Sequence, residues 1–221
     1  MAPIANEVIG HVAPLETKGQ VVRTNDDSGE SPLGNLIADA QRTDRSVIPD
    51  GGQAPAIAFM NPGGVRADLL ENSDGNITYE AAFTAQPFNN FVVSMDLTGK
   101  QIRDLLEQQF SGPNATSNKI LQVSGIEYTW DRSEPAGNKV VDGSVMVDSN
   151  GAGTVDASLD DETTYRVACN SFLSDGGDNF PVFAAGTDKY FGGLDIDALV
   201  VYLKEHDPYT PVPTDRIDVQ P

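Results

Sequence analysis

Ala56-Ile-Ala-Phe-Met-Asn-Pro-Gly-Gly-Val-Arg66 runs from apolar residues straight into a glycine-rich turn. An apolar run this short, closed by turn residues, reads as a strand buried on both faces. The turn then carries an amide, Asn61, and a guanidinium, Arg66. Adjacent glycines let a ligand approach the backbone, and the arginine fork matches phosphate or carboxylate oxygens. The same residues also fit a plain turn with a surface arginine. The segment therefore places a strand end without fixing a role.

Upstream, Ser31-Pro32 reads as a helix N-cap followed by a first-turn proline. Leu33, Leu36, Ile37 and Ala40 fall at helical spacing, which predicts a helix over about Pro32–Arg42 with one apolar face. Val8–Val12 and Val21–Val22 read as short strands. Downstream, Thr78 caps a helical turn over Tyr79–Phe83, and Phe91–Leu97 reads as a strand. Thr98-Gly-Lys-Gln101 matches a capping box for a helix that turns Ile102, Leu105, Leu106 and Phe110 inward. Residues 120–130 and 140–147 alternate like a hairpin, and Thr164–Cys169 is another strand. Asp195 is expected to cap a final helix, beyond which the proline-rich tail from Asp207 is extended. Helices and strands interleave without a strict βαβ period. The expected fold is α+β, one domain over 1–221 with its core at about 7–206 and a mixed β-sheet packed by helices.

Composition narrows the function. The 221 residues hold 14 Lys and Arg against 33 Asp and Glu, a net charge of −19. That excludes a nonspecific nucleic-acid binder, which needs clustered cations to displace counterions. No apolar run approaches the roughly 20 residues that span a bilayer. Cys169 is alone, so neither an internal disulfide nor a cysteine zinc site is available, and its apolar neighbours suggest a buried, inert thiol. His11 and His206 are the only histidines and lie far apart in sequence, so no two-metal centre is expected within the chain. Met1-Ala-Pro-Ile-Ala-Asn6 lacks the basic start and apolar core of a signal peptide. That fits a cytoplasmic protein, or a piece that begins partway through a longer one.

Three further segments invite a role. In Gln86-Pro-Phe-Asn-Asn-Phe91, Phe88 fits either a core plug or an exposed platform for a planar ligand. In Asn170-Ser-Phe-Leu-Ser-Asp-Gly-Gly-Asp-Asn-Phe180, a buried strand ends in a loop carrying Phe172 and Asp178. That Asp, beside a glycine pair, could accept from a sugar diol or simply bond its own turn. Asp148–Asp156 looks superficially like a calcium loop. It fails the pattern at Ala152 and lacks a Glu at the twelfth position, so a turn is expected.

Taken in order, Ser31-Pro-Leu-Gly-Asn-Leu-Ile-Ala-Asp-Ala40, Asn61–Arg66, Gln86-Pro-Phe88, Leu97-Thr-Gly-Lys-Gln-Ile102 and Phe172-Leu-Ser-Asp-Gly-Gly-Asp178 form one pattern. The chain resembles the C-terminal domain of 5'-nucleotidases over about residues 20–185. The resemblance implies a nucleotide-binding domain whose partner is an N-terminal metallophosphatase domain of the same protein, absent from this chain. That domain would supply two divalent metal ions and the catalytic His-Asp pair. A large domain rotation would carry bound nucleotide to the metals. No catalytic residue and no cofactor is then expected here, since the chain has neither an Asp-x-His nor a Gly-Asn-His-Glu segment.

By the same resemblance, Phe88 and Phe172 match the two aromatics that sandwich the base. Asp178 matches the carboxylate on the ribose hydroxyls, and Asn61 and Arg66 match an amide and a guanidinium near the phosphate. Asn90 and Gly125 match positions lining the base pocket. Arg23 is set against a phosphate-facing arginine across an insertion at Asp26–Gly29. Asn89 and Asn179 stand where many members have glycine, and Asn is the side chain that best tolerates positive φ. Rival readings are a relative acting on cyclic nucleotides or nucleotide sugars, and a free-standing nucleoside-binding module. The family resemblance implies a periplasmic, secreted or cell-surface location.

Overall fold

The computed structural model describes residues 2–13, 20–117, 119–151 and 153–221. Its centre is a mixed five-stranded sheet in the order Thr187–Leu194, Phe91–Thr98, Thr164–Asn170, Ile57–Met60, Gln122–Ser124. Thr164–Asn170 pairs antiparallel with Phe91–Thr98 and parallel with Ile57–Met60. Alternate residues serve opposite faces, as a strand's period of two requires. Ile57 and Phe59 enter one core with Val93, Met95, Leu97 and the inward stripe of the helix Gly99–Gln108. Met60 enters a second core with Leu33, Leu36 and Ile37. The sheet is thus covered on both sides, and the short apolar run at its centre is buried throughout, as the sequence suggests.

The helix signals act as read. Ser31 accepts from the Gly34 amide at the start of Pro32–Thr43, and Thr78 accepts from Ala81 at the start of Tyr79–Ala85. Both halves of the Thr98/Gln101 capping box form. One helix differs in its environment. Pro32–Thr43 is buried on its polar side as well, because the C-terminal segment lies against it. Arg216 makes a bidentate pair with Asp39, with both N···O distances at 2.8 Å, and the backbone amides of Arg216 and Ile217 donate to Glu30. The core therefore runs past the expected limit near residue 206. Ile217–Gln220 adds a parallel strand to Ile126–Asp131 in a second, four-stranded sheet with Met146–Val147 and Ala157–Ser158.

Two expectations are corrected. The alternating stretch 120–130 is not one hairpin arm. Gly125, at φ +73°, turns the chain so that Gln122–Ser124 joins the central sheet while Ile126–Asp131 joins the second one. Only Ile126 and Glu127 pair with Val147 and Met146, with a bridge from Trp130 to Val140. The final helix, Asp195–Glu205, is preceded by Leu194 at its cap, and Asp195 is its first, buried residue. Cys169 is fully buried, and desolvation pushes its thiol pKa up. Asp148 is also fully buried and holds Arg42 and the Gly153 amide; Ala152 lies outside the described residues.

Candidate functional site

Parallel pairing of Ile57–Met60 with Thr164–Asn170 brings their C-terminal ends side by side, Cys169 opposite Phe59. The next residues on each strand therefore meet. Asn170 caps the turn Ser171–Ser174 by accepting from the Leu173 amide, and its side-chain nitrogen donates to the Asn61 oxygen at 2.9 Å. Asn61 in turn donates to Asp178 Oδ2 at 2.8 Å, and Lys119 Nζ donates to Asp178 Oδ1 at 2.5 Å. Both amides are buried, so this chain of bonds is shielded from competing water. It fixes one carboxylate at the mouth of a cleft.

The turn carrying that carboxylate is left-handed at three residues, Gly176, Asp178 and Asn179, with φ values of 86°, 54° and 62°. Asp and Asn tolerate this region better than other side chains, at some cost. The buried Asn114 holds the turn, donating to the Asp178 carbonyl at 3.0 Å and accepting from Asn179 Nδ2 at 3.3 Å. Asn89 is left-handed as well, at φ 52°. Both asparagines thus take the positive φ that their side chain tolerates. At Gly177 a Cβ would lie 2.6 Å from the Phe172 ring, so this glycine makes room for the phenyl.

Asn61, Gly63, Gly64, Arg66, Phe88, Asn90, Lys119, Phe172 and Asp178 line one cleft of about 430 Å³, a size suited to a small organic ligand. Phe88 and Phe172 are 52% and 45% exposed, so neither is a core plug. The Arg66 amide donates to Ala85 at the end of the helix before Phe88, and the guanidinium sits 5.8 Å from the Phe88 ring centre. Asn90 anchors the loop by accepting from the Asp195 amide at 2.8 Å.

Six of the residues expected from sequence thus share this cleft, and two do not line it. Gly125 lies at the junction of the two sheets beside Arg42 and the Ala56 carbonyl. Arg23 is exposed, donating to the Val65 carbonyl at 3.4 Å. Asn61, expected near a phosphate, spends its amide on Asp178 and Asn170. Two residues were missed. Lys119 follows a polar loop and reads as an ordinary solvated lysine. Asn170 carries the clearer signal, a polar residue ending an otherwise apolar strand.

Asp195 lies under the Phe88 loop, 2% exposed, and its Oδ1 lacks a hydrogen-bond partner among the described residues, as do both polar atoms of the Gln86 side chain. Burial pushes its pKa up to about 6, partly offset by the Ile196 amide. A carboxyl raised in the fold favours folding while neutral. That contribution is present at low pH and is lost as pH rises from about 4 through about 6. A carboxyl held that far above its ordinary value contributes roughly 3 kcal/mol. Asp195→Asn should therefore be more stable than the parent by roughly 2–3 kcal/mol near pH 8 and about equal near pH 4 in denaturant melts. Equal stability at both pH values would refute the burial argument.

Among the described residues no three His, Cys, Asp or Glu side chains converge to hold a metal ion, and no helix is long and apolar enough to cross a membrane. Comparison with known proteins places the chain. The family described as "5'-nucleotidase, C-terminal domain" matches residues 8–185. The chain is 34% identical over 204 residues to the trifunctional nucleotide phosphoesterase protein YfkN of Bacillus subtilis, covering 91% of this chain and 13% of that protein. It is 32% identical over 211 residues to the cell wall protein Lmo0130 of Listeria monocytogenes, covering 91% of this chain and 25% of that one. Among solved structures, it superposes on a 5'-nucleotidase precursor from Thermus thermophilus with a TM-score of 0.80 and 34% identity, covering all of this chain and 41% of that one. The chain thus spans less than half the length of each of these proteins. With the family pattern matched over most of its length and its fold shared, the chain belongs to the 5'-nucleotidase C-terminal domain family.

Proposed function

We propose that this chain is the nucleotide-binding domain of a 5'-nucleotidase-type phosphohydrolase, acting with a separate metallophosphatase domain that carries two divalent metal ions. The observation that carries the reading is the pairing of two exposed phenyl rings with a carboxylate in one cleft. A base stacked on the phenyls gains roughly 1–3 kcal/mol per contact and needs no particular edge pattern. A carboxylate accepts only, so it selects the ribose hydroxyls. The Arg66 guanidinium is a permanent cation whose fork suits phosphate oxygens. The steps at the metals are assigned to that separate domain. The acidic surface and the cell-wall relative support a location outside the cytoplasm.

The isolated chain should bind adenosine or AMP weakly in calorimetry and release no phosphate from AMP, with or without added Mn²⁺ or Zn²⁺. Turnover by a preparation shown to be free of contaminants would overturn the division of labour. Phe172→Ala should weaken adenosine binding by roughly 1–3 kcal/mol. It should cost much less stability than the roughly 3–5 kcal/mol of deleting a buried phenyl, because the ring is nearly half exposed. A large drop in melting temperature with affinity retained would make Phe172 a packing residue instead.

A further inference from the structure

Lys119 stands in the wall of the cleft beside Asp178. Among the described residues its ammonium makes one hydrogen bond, to Asp178 Oδ1 at 2.5 Å, and Asp178 is the only carboxylate within 4.0 Å of it. An ammonium has three N–H donors, so two remain unspent. The pair is largely shielded, with 24% of the lysine side chain and 17% of the aspartate exposed. Asp178 Oδ2 has a different neighbour, the Asn61 amide at 2.8 Å, which is itself tied to Asn170. The two carboxylate oxygens therefore offer a ligand different surroundings.

The carboxylate is held without the lysine. Asn114 fixes the Asp178 carbonyl, Asn61 fixes Oδ2, and the left-handed turn sets the direction in which the side chain leaves the backbone. Ordering a lysine costs rotamer entropy, and an ion pair still in contact with water returns little. What the ammonium adds is a pair of charged donors next to the place assigned to the ribose.

A hydroxyl donates one hydrogen bond and can accept two. A ribose hydroxyl that donates to Asp178 Oδ1 brings its own oxygen beside the group already bonded there, the Lys119 ammonium. That hydroxyl can then donate to the carboxylate and accept from the ammonium, and each bond polarises the other. We propose that Lys119 is a second ribose contact, a charged donor that completes the site for one of the two hydroxyls. The other hydroxyl, at Oδ2, meets an amide instead. The Lys119–Asp178 pair leaves this corner of the cleft without net charge, which suits a neutral diol better than a phosphate or an amine in its place. The two residues act as a unit, because Asp178 is the ammonium's anchor. The assignment rests on the nucleotide reading of the cleft.

Adenosine, 2'-deoxyadenosine and 3'-deoxyadenosine titrated by calorimetry into the chain and its variants separate a ribose contact from a mere support for Asp178. The parent should prefer adenosine over both deoxynucleosides. In Lys119→Met the preference over one of them should fall by about tenfold, the loss of one charge-assisted hydrogen bond, while the preference over the other stays within about twofold of the parent's. Lys119→Arg keeps the charge and the donors and should keep the parent's pattern. In Asp178→Ala the ammonium loses its anchor, so both preferences should vanish together. Thermal melts show whether methionine disturbs the fold; if it does, Lys119→Gln, which also removes the charge, repeats the measurement with the same one-sided loss expected. A support for Asp178 acts on both hydroxyls alike, so two preferences that fall together in the methionine and glutamine variants, or two that stay unchanged, would overturn the proposal and leave the cleft's nucleotide reading standing. A parent that binds no adenosine, or binds all three nucleosides equally, would remove the ribose reading on which Lys119's role depends.

Discussion

Asp178→Ala should lower the affinity for adenosine by about 3 kcal/mol or more, roughly a hundredfold, and should erase the preference for adenosine over 2'-deoxyadenosine. Each hydrogen bond to a charged acceptor is worth about 1.5–3 kcal/mol, and the carboxylate is assigned two ribose hydroxyls. Its two oxygens already accept from Asn61 and Lys119, which fixes their direction without exhausting them, since each oxygen can accept twice. One complication is built into the site. Asp178 sits at φ 54°, where alanine is strained by about 1–2 kcal/mol, so the variant also loosens the turn. Asp178→Asn resolves the ambiguity, because asparagine tolerates that backbone and keeps one acceptor oxygen. Calorimetry with both nucleosides on all three proteins reads the result. If the parent binds the two nucleosides equally, or if Asp178→Ala keeps the parent's preference, Asp178 only shapes the turn.

The site was legible where chemistry and backbone demands coincide in a few adjacent residues. Asn61–Arg66 and Phe172–Asp178 each place a side chain beside glycines, and the parallel pairing of their strands carries both to one end of the sheet. Lys119 shows what that reading misses. A lysine after a polar loop looks the same whether it faces water or a carboxylate 59 residues away in sequence. Its partner is set by the tertiary path of the chain alone. Asn61 shows a second thing that the local sequence hides. Its residue type suits a phosphate contact, yet Asn170 and Asp178 claim its amide, and neither claim leaves a local trace.

The fold was legible where local signals are strong. Ser31-Pro32 and the Thr98/Gln101 box start helices because their side chains satisfy amides that the helix leaves free. The polar face of Pro32–Thr43 misleads for a related reason. Asn35 and Asp39 look solvated until Glu30 and Arg216 are brought to them, and Arg216 arrives from 177 residues further along the chain. The proline-rich tail hides this, since an extended segment reads the same whether it hangs free or adds a strand.

Gly125 separates a binding role from an architectural one, and Gly125→Ala should be the most destabilising single change discussed. The residue turns the chain between two sheets at φ +73°, where alanine already costs about 1–2 kcal/mol. A Cβ there would also lie 2.0 Å from the Ala56 carbonyl oxygen, a backbone atom on the neighbouring chain segment that cannot rotate away. Relief requires moving either the start of the central strand Ile57–Met60 or the corner itself, which puts the change among the rare substitutions costing more than about 4 kcal/mol. For a chain of this size that corresponds to a melting temperature lowered by about 10 °C or more. The cleft lies elsewhere, so the folded fraction at low temperature should bind adenosine as the parent does. Thermal melts paired with calorimetry test both halves. A variant of unchanged stability with weakened binding would return Gly125 to the base pocket.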